Sequence, residues 1–91
     1  MSDDSETVQC WLVERDYGSR NIVTIVYATP DGSRYHQRER SQTLLQQGSA
    51  VTAGAEIAAN DLEAVPDEDT RERYAAEAER TAEQYDPDDS I

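Results

Sequence analysis

The chain has 91 residues, and its 20 Asp and Glu residues outweigh its 8 Arg residues to give a formal net charge of -12. Lys and Phe do not occur in it. A chain of this length forms one domain, and its single cysteine, Cys10, excludes an internal disulfide. Since Cys10 and His36 are the only soft metal ligands, we expect neither a structural zinc site nor any other cofactor.

The hydropathy pattern excludes a membrane partner. No stretch of the chain approaches the roughly 20 apolar residues that a membrane-spanning helix needs. The acidic residues 1–6 lack the apolar core of a secretory signal. We therefore expect a cytoplasmic protein.

Two apolar segments in the first third of the chain have the pattern of β-strands. Residues 7–15 alternate between two faces, whereas residues 22–28 are apolar on both. A strand that is apolar on both faces is usually central and covered twice, so we expect 22–28 to be the central strand. In the first strand, alternation places Val8, Cys10 and Leu12 on one face and Gln9, Trp11 and Val13 on the other.

A turn signal and a charged segment follow. Residues 29–32 read Thr-Pro-Asp-Gly, in which Pro30 presets φ and Gly32 accepts a positive φ. The pattern predicts a hairpin that leads into a third strand over residues 33–40. Because Tyr35 is the only large apolar residue of that strand, we predict that it lies at an edge of the sheet.

Residues 51–57 fit two templates. Their apolar residues alternate as in a strand, but a helical pattern also runs from Val51 to Leu62. We favour the strand because it adds a fourth member to the sheet. The alternative, a second helix over about 49–62, stays open.

Residues 67–85 have the pattern of a helix. Pro66 precedes it, and either Asp67 or Asp69 can cap its first turn. One narrow apolar stripe can face the sheet; it comprises Tyr74, Ala78, Ala82 and Tyr85. The predicted fold class is therefore α+β, with an antiparallel three- to four-stranded meander and a C-terminal helix packed on one face. The domain spans residues 7–85, between disordered acidic segments at 1–6 and 86–91.

Charge is distributed unevenly along the chain. Residues 15–40 carry five Arg against three acids, whereas residues 56–91 carry 13 acids against three Arg. In composition, with many carboxylates, Arg and no Lys, the whole chain resembles small acidic proteins of halophilic archaea. The resemblance is to a compositional class and names no biochemical family. It implies a salt-rich cytoplasm, in which the Debye length is about 3 Å at about 1 M salt and surface repulsion is weak.

The net-positive segment supplies the candidate site for an anion or a partner. Arginines and aromatic residues on a sheet could bind single-stranded nucleic acid through phosphate contacts and stacking. They could also bind an anionic protein or small ligand. The interpretation that we favour is that they pair with the acidic helix, within the chain or across a dimer. The candidate residues are Arg15, Arg20, Arg34, Tyr35, His36, Arg38 and Arg40, with Tyr17 beside them.

A second candidate surface would mediate self-association. The predicted sheet is apolar on both faces, yet only one predicted helix can cover it. We therefore expect a homodimer in which Trp11, Val13 and strand 22–28, with Tyr27, contact the second copy. The alternative is that the apolar stripe of the helix makes this contact.

Catalysis is not expected. His36 is the only candidate general base at neutral pH, and Arg34 and Arg38, on the same strand face, would oppose its protonation. Cys10 lies on an apolar face and is expected in the core, where a redox role is the alternative. The leading interpretation is a non-enzymatic cytoplasmic protein-interaction module that self-associates. The alternatives are a nucleic-acid-binding protein that uses strand 33–40, and a small enzyme or ligand carrier.

Overall fold

The structure, a computed structural model, describes residues 6–17, 21–41 and 51–91. These residues form a five-stranded antiparallel sheet with one helix packed on one face, so the predicted α+β class is confirmed. The elements are β1 (Thr7–Tyr17), β2 (Ile22–Ala28), β3 (Arg34–Ser41), β4 (Gly54–Ala58), β5 (Glu63–Ala64) and α1 (Glu68–Gln84), with a 3-10 turn at Ala59–Asp61.

The strands lie in the order β4-β1-β2-β3-β5, which confirms β2 as the central strand. The strand interpretation of residues 51–57 is confirmed for their second half, because β4 spans Gly54–Ala58 and residues 51–53 precede it. However, β4 pairs with β1 rather than continuing the meander beyond β3. The two-residue strand β5, which was not predicted, then pairs with Arg34 and Tyr35, so β3 is flanked on both sides at its start.

The hairpin between β2 and β3 forms as predicted. The N–H of Gly32 donates to the main-chain oxygen of Thr29 over 2.8 Å, and Gly32 has φ of 74°. The Asp31 carboxylate accepts hydrogen bonds from the Thr29 hydroxyl and from both the N–H and the hydroxyl of Ser33. Gly32 lies so close to α1 that a Cβ there would be 2.7 Å from the N atom of Ala75. The hairpin therefore docks against the helix backbone.

A β-bulge interrupts β1 at Val13. Leu12 lies opposite Tyr27 in β2, but the next aligned pair is Glu14 with Val26, so Val13 is the extra residue. A bulge shifts the facing of every residue beyond it. Val13 and Glu14 therefore both face α1: Val13 packs beside Tyr74, and the Tyr74 hydroxyl donates to Oε1 of Glu14 over 3.4 Å.

The helix α1 begins as its sequence indicates but packs along only part of the predicted stripe. Asp67 is its N-cap and accepts from the N–H of Thr70 over 2.9 Å. Tyr74 and Ala78 are buried against the sheet, whereas Ala82 and Tyr85 are exposed, so only the first half of the predicted stripe is covered. The Thr81 hydroxyl donates to the main-chain oxygen of Leu12, directly before the bulge, over 2.9 Å.

Two apolar clusters lie on the two faces of the sheet. The face toward α1, the helix face, holds Val26, Ala28, Val65 and Tyr74. The opposite face holds the larger cluster, to which the segment before β4 contributes Val51. Its buried residues are Cys10, Leu12, Val23, Ile25, Tyr27, Val51 and Ile57.

The C-terminal residues pair with the segment that precedes β4. The sequence predicts a disordered tail over 86–91, whereas the structure places main-chain hydrogen bonds between these residues and residues 51–54. Ser90 bridges Thr52 in antiparallel orientation, and the N–H of Ile91 donates to the oxygen of Val51 over 2.8 Å. At the other end, residues 1–5 of the predicted disordered segment lie outside the described residues. None of the helices described is long and apolar enough to cross a membrane.

Thr81→Val should destabilise the protein by about 1 kcal/mol, because it removes the hydroxyl that bonds the Leu12 oxygen while keeping a side chain of similar shape. Thr81→Ser keeps the hydroxyl and should therefore lose less stability than Thr81→Val. Urea unfolding in high-salt buffer measures both changes. A Thr81→Val variant as stable as the wild type, or more stable than Thr81→Ser, would contradict the role of the hydroxyl.

Asp31→Asn should destabilise the hairpin in a pH-dependent way. The hydrogen bonds from Ser33 and Thr29 lower the pKa of Asp31 from 3.8 to about 2. The carboxylate therefore stabilises the fold above pH 3.8, and this contribution is lost as the pH falls from there toward 2. Since the group is near the surface, we expect about 1 kcal/mol at neutral pH. Urea unfolding between pH 7 and pH 2 tests this; a pH-independent difference would contradict it.

Candidate partner-binding site

Four arginines lie on the face of the sheet opposite α1. We call Arg15, Arg34, Arg38 and Arg40 the arginine cluster. Arg15 and Arg38 lie on either side of Ile25 in one cross-strand row. Because adjacent strands are about 4.8 Å apart, the main chains of these two arginines are about 10 Å apart. The next row places Tyr17 and Arg40 on either side of Val23.

The bulge at Val13 brings β1 into this arrangement. Without it, alternation from Trp11 would place Arg15 and Tyr17 on the helix face. With it, both residues face the same way as Ile25 and Val23, and therefore as Arg38 and Arg40. Sequence reasoning proposed this set from its net positive charge, but the shared face depends on the bulge.

Aromatic rings support two of the guanidinium groups. The guanidinium carbon of Arg38 is 5.2 Å from the centre of the Tyr27 ring, and that of Arg15 is 5.7 Å from the centre of the Tyr17 ring. Tyr27 is buried, whereas 57% of Tyr17 is exposed. Such cation–π contacts attract a guanidinium to the ring without neutralising its charge.

No Asp or Glu side chain forms an ion pair with the arginine cluster within the described part of the chain. The ion pairs found there join Arg73 to Glu14 and Arg80 to Glu77. Arg15 instead donates to an oxygen of Ile91, the last residue described, and Arg40 donates to the main-chain oxygen of Glu39. The expected pairing of these arginines with the acidic helix of the same chain is therefore wrong, because α1 lies on the other face of the sheet.

Three further candidates have different positions. Arg20 lies outside the described residues. Tyr35 faces α1 and packs beside Val26, Ala28 and Tyr74, so it is not part of the surface that carries the arginine cluster. His36 shares the face of Arg34 and Arg38, and its Nδ1 lies 3.2 Å from the main-chain oxygen of Asp61.

His36 also lines an open cleft at the edge of β3. The cleft has a volume of about 470 Å³ and is lined by Tyr35, His36, Gln37, Asn60, Asp61 and Glu63. The contact of His36 is with a main-chain oxygen rather than a carboxylate, which is not the geometry of a catalytic dyad. Among the described residues, no group of three or more His, Cys, Asp or Glu side chains could hold a metal ion.

The three residues predicted for a dimer contact do not share a surface. Tyr27 is only 3% exposed, and its hydroxyl donates to the main-chain oxygen of Thr52 over 2.9 Å. It therefore cannot contact a second copy. Trp11 and Val13 lie on the helix face and are half-buried.

Trp11 lines an apolar groove beside α1. The groove has a volume of about 500 Å³ and separates the helix from Trp11 and the hairpin residue Pro30. Sequence reasoning found Trp11 but missed the other walls, since Pro30 and α1 reach Trp11 only through the docking of the hairpin and helix. We call this the alanine groove; it is lined by Trp11, Pro30, Ala75, Ala76, Ala78, Glu79 and Ala82.

Cys10 belongs to the core, as predicted. It is fully buried in the cluster opposite the helix. Burial raises the pKa of its thiol, and the charges of Arg34 and Arg38 oppose that rise. A buried thiol with a raised pKa is unreactive, so the structure favours packing over a redox role.

Comparison with known proteins identifies a family without a described role. The model of a family of unknown function, DUF7967, matches residues 4–91. Neither a curated protein nor a solved structure has significant similarity to the chain.

Proposed function

The chain belongs to the DUF7967 family of unknown function, and we propose that it is a non-enzymatic protein-interaction module of a salt-adapted cytoplasm. Its partner would present carboxylates to the arginine cluster. The observation that carries this proposal is that four arginines share one face of the sheet without an ion pair to any described Asp or Glu side chain.

The chemistry of the cluster suits a carboxylate-bearing surface. A guanidinium is planar and can donate two parallel hydrogen bonds to one carboxylate, and Arg15 and Arg38 already lie beside aromatic rings. Charge-assisted hydrogen bonds of this kind contribute about 1.5–3 kcal/mol each. The binding energy would therefore come from short contacts at fixed positions.

High salt favours such contacts over long-range attraction. At about 1 M salt the Debye length is about 3 Å, so charges separated by more than a contact distance are screened. A partner could not be steered from afar by a chain of net charge -12. Pairs that exclude water are screened much less, and these are the pairs that a rigid row such as Arg15 and Arg38 can form.

Capture from a native extract at about 1 M KCl tests this proposal, with the full chain as bait. The bait Arg38→Gln plus Arg40→Gln should recover the partner at least about tenfold less well than the wild type, since two charge-assisted contacts are lost. The matched control is Arg71→Gln plus Arg80→Gln, which removes the same charge from α1 on the other face of the sheet.

The control bait should recover the partner as the wild type does. Thermal melting of all three baits confirms that they are folded. A partner recovered equally by the Arg38 and Arg40 variant would refute binding through the arginine cluster.

Binding of single-stranded nucleic acid is a second candidate for the same face. It is favoured by Tyr17, an exposed ring beside Arg15 that could stack on a base while Arg38 and Arg40 contact phosphates. Its affinity should fall steeply with salt, in proportion to the number of phosphates contacted.

Fluorescence anisotropy of labelled single-stranded RNA and DNA, titrated from low to molar KCl, separates the two candidates. For the nucleic-acid candidate, Tyr17→Ala and the Arg38 and Arg40 variant should both weaken low-salt binding. Binding that is unchanged in both variants would exclude this face of the sheet as the nucleic-acid-binding site. Low-salt binding that both variants weaken, and that falls with salt as phosphate contacts predict, would favour nucleic acid.

A further inference from the structure

The outer edge of β3 is open beyond β5. Thr29 donates its N–H to the main-chain oxygen of Arg34, so from Arg34 onward every second residue of β3 bonds to β2. The main-chain groups of the residues between them, Gln37 and Glu39, therefore point away from β2. β5 reaches only as far as Tyr35 along this edge, and both Gln37 and Glu39 are exposed.

The hydrogen-bonding groups along this edge are largely unused. Among the described residues, none accepts a hydrogen bond from the N–H of Gln37 or Glu39. The main-chain oxygen of Glu39 accepts from the exposed guanidinium of Arg40, a bond that an incoming N–H can replace. The opposite edge of the sheet is partly covered, because Ala53 and Gly54 donate to the C-terminal segment. β3 thus offers the row of main-chain groups that a further strand requires.

The side chains of β3 determine what kind of strand can pair there. Arg34, His36, Arg38 and Arg40 lie on the face of the sheet opposite α1, and β5 already lies beside Arg34. In antiparallel pairing, a residue directly opposite Arg38 or Arg40 lies on the same face, with its Cβ about 4.5–5.5 Å away. Opposite charges in such a pair stabilise it, so acidic residues fit these two positions.

The same side chains disfavour pairing of β3 with β3 of a second copy. Antiparallel pairing about a two-fold axis keeps equivalent faces together, so His36, Arg38 and Arg40 would lie opposite basic residues of the copy. Like charges directly opposite one another are destabilising, and charged side chains commonly protect a strand at the edge of a sheet from self-pairing. The charge of this edge therefore disfavours a second copy and favours an acidic strand.

We propose that β3 binds an extended acidic segment of the partner as an additional strand, antiparallel to β3. The described strand pairs of the sheet are all antiparallel. Two acidic residues of the segment, two positions apart, face Arg38 and Arg40, and the residue between them exchanges main-chain hydrogen bonds with Glu39. The inference rests on the proposed function and adds the form of the partner, which is an extended segment rather than a folded surface.

The cleft at the edge of β3 restricts the end of this segment. It lies where β5 ends and the open edge begins, since Gln37 and Glu63 both line it. The residue opposite His36 would enter the cleft, where Asp61 and Glu63 repel a carboxylate. The segment is therefore acidic opposite the two arginines and neutral at the cleft.

Amide hydrogen exchange of the full chain, measured by NMR at about 1 M KCl, tests the additional strand. The probe is the end-blocked peptide Thr-Glu-Thr-Glu-Thr-Thr-Thr. At saturation it should slow exchange of the Gln37 and Glu39 amides by about tenfold or more, because both become donors to the peptide. The amide of Arg38 already bonds β2 and should change little. Unchanged exchange of Gln37 and Glu39 at the highest soluble peptide concentration would overturn the proposal.

Methylation of single peptide amides separates strand addition from charge pairing without changing the protein. In the antiparallel arrangement, the N–H of the Thr between the two Glu residues points at β3, whereas the N–H of either Glu points away. N-methylation of that Thr should weaken binding by about fivefold, through the lost hydrogen bond. N-methylation of the second Glu should leave the affinity unchanged. Equal weakening by the two methylations, or weakening by Glu methylation alone, would contradict the proposal.

Variants of the edge provide a second test with a matched control. Gln37→Pro removes an outward N–H and places the proline ring where the additional strand would lie, so it should weaken peptide binding by about tenfold or more. Gln37→Thr keeps the N–H and should bind as the wild type does. Thermal melting establishes that both variants are folded, and the methylated peptides decide the question if Gln37→Pro is not.

Arginine variants distinguish failure of this inference from failure of the proposed function. Arg38→Gln plus Arg40→Gln should weaken peptide binding, whereas Arg15→Gln should not, because β1 is three strands away from the peptide. Binding that depends on Arg38 and Arg40 but is unaffected by Gln37→Pro would overturn strand addition and leave the proposed function standing. Binding that is unaffected by loss of Arg38 and Arg40 would contradict both.

Discussion

The bulge at Val13 is the constraint on which the rest of the structure depends. It reverses the facing of the second half of β1, so that Glu14 points at α1 and Arg15 points away from it. Glu14 meets Arg73 and Tyr74, and the nearby Leu12 oxygen accepts the Thr81 hydroxyl. One inserted residue thus anchors the helix on one face and completes the arginine cluster on the other.

Features encoded by neighbouring residues could be predicted from the sequence. The central strand, the hairpin with its Gly32 and the Asp67 cap all depend on local patterns, and all are present. The neighbour of β4 could not be predicted, because residues 51–57 carry no information about which strand they join. β5 could not be predicted either, since two residues, Glu63 and Ala64, are too few to show an alternation.

The candidate sites likewise combine features that the sequence predicts with features that depend on the fold. The arginines could be found from composition, because the charge of residues 15–40 stands out against an acidic chain. Their common face could not, because strict alternation assigns Arg15 to the wrong side. Tyr27 illustrates the opposite error: an aromatic residue in an apolar strand was expected to contact a second copy, but its ring is covered by Arg38 and its hydroxyl bonds Thr52. Pattern alone does not distinguish a ring that packs from one that binds.

The two faces therefore separate the charges of the chain as well as its candidate sites. The arginine cluster faces away from α1, whose exposed side chains are net acidic, and the sheet lies between them. At low salt the net charge of -12 would dominate the approach of any partner. At molar salt that field is confined to about one contact distance. What then matters is the placement of single groups: guanidiniums beside aromatic rings on one face of the sheet, and main-chain groups along the open edge of β3. An acidic surface of this kind keeps the protein hydrated, while its few arginines determine what it can bind.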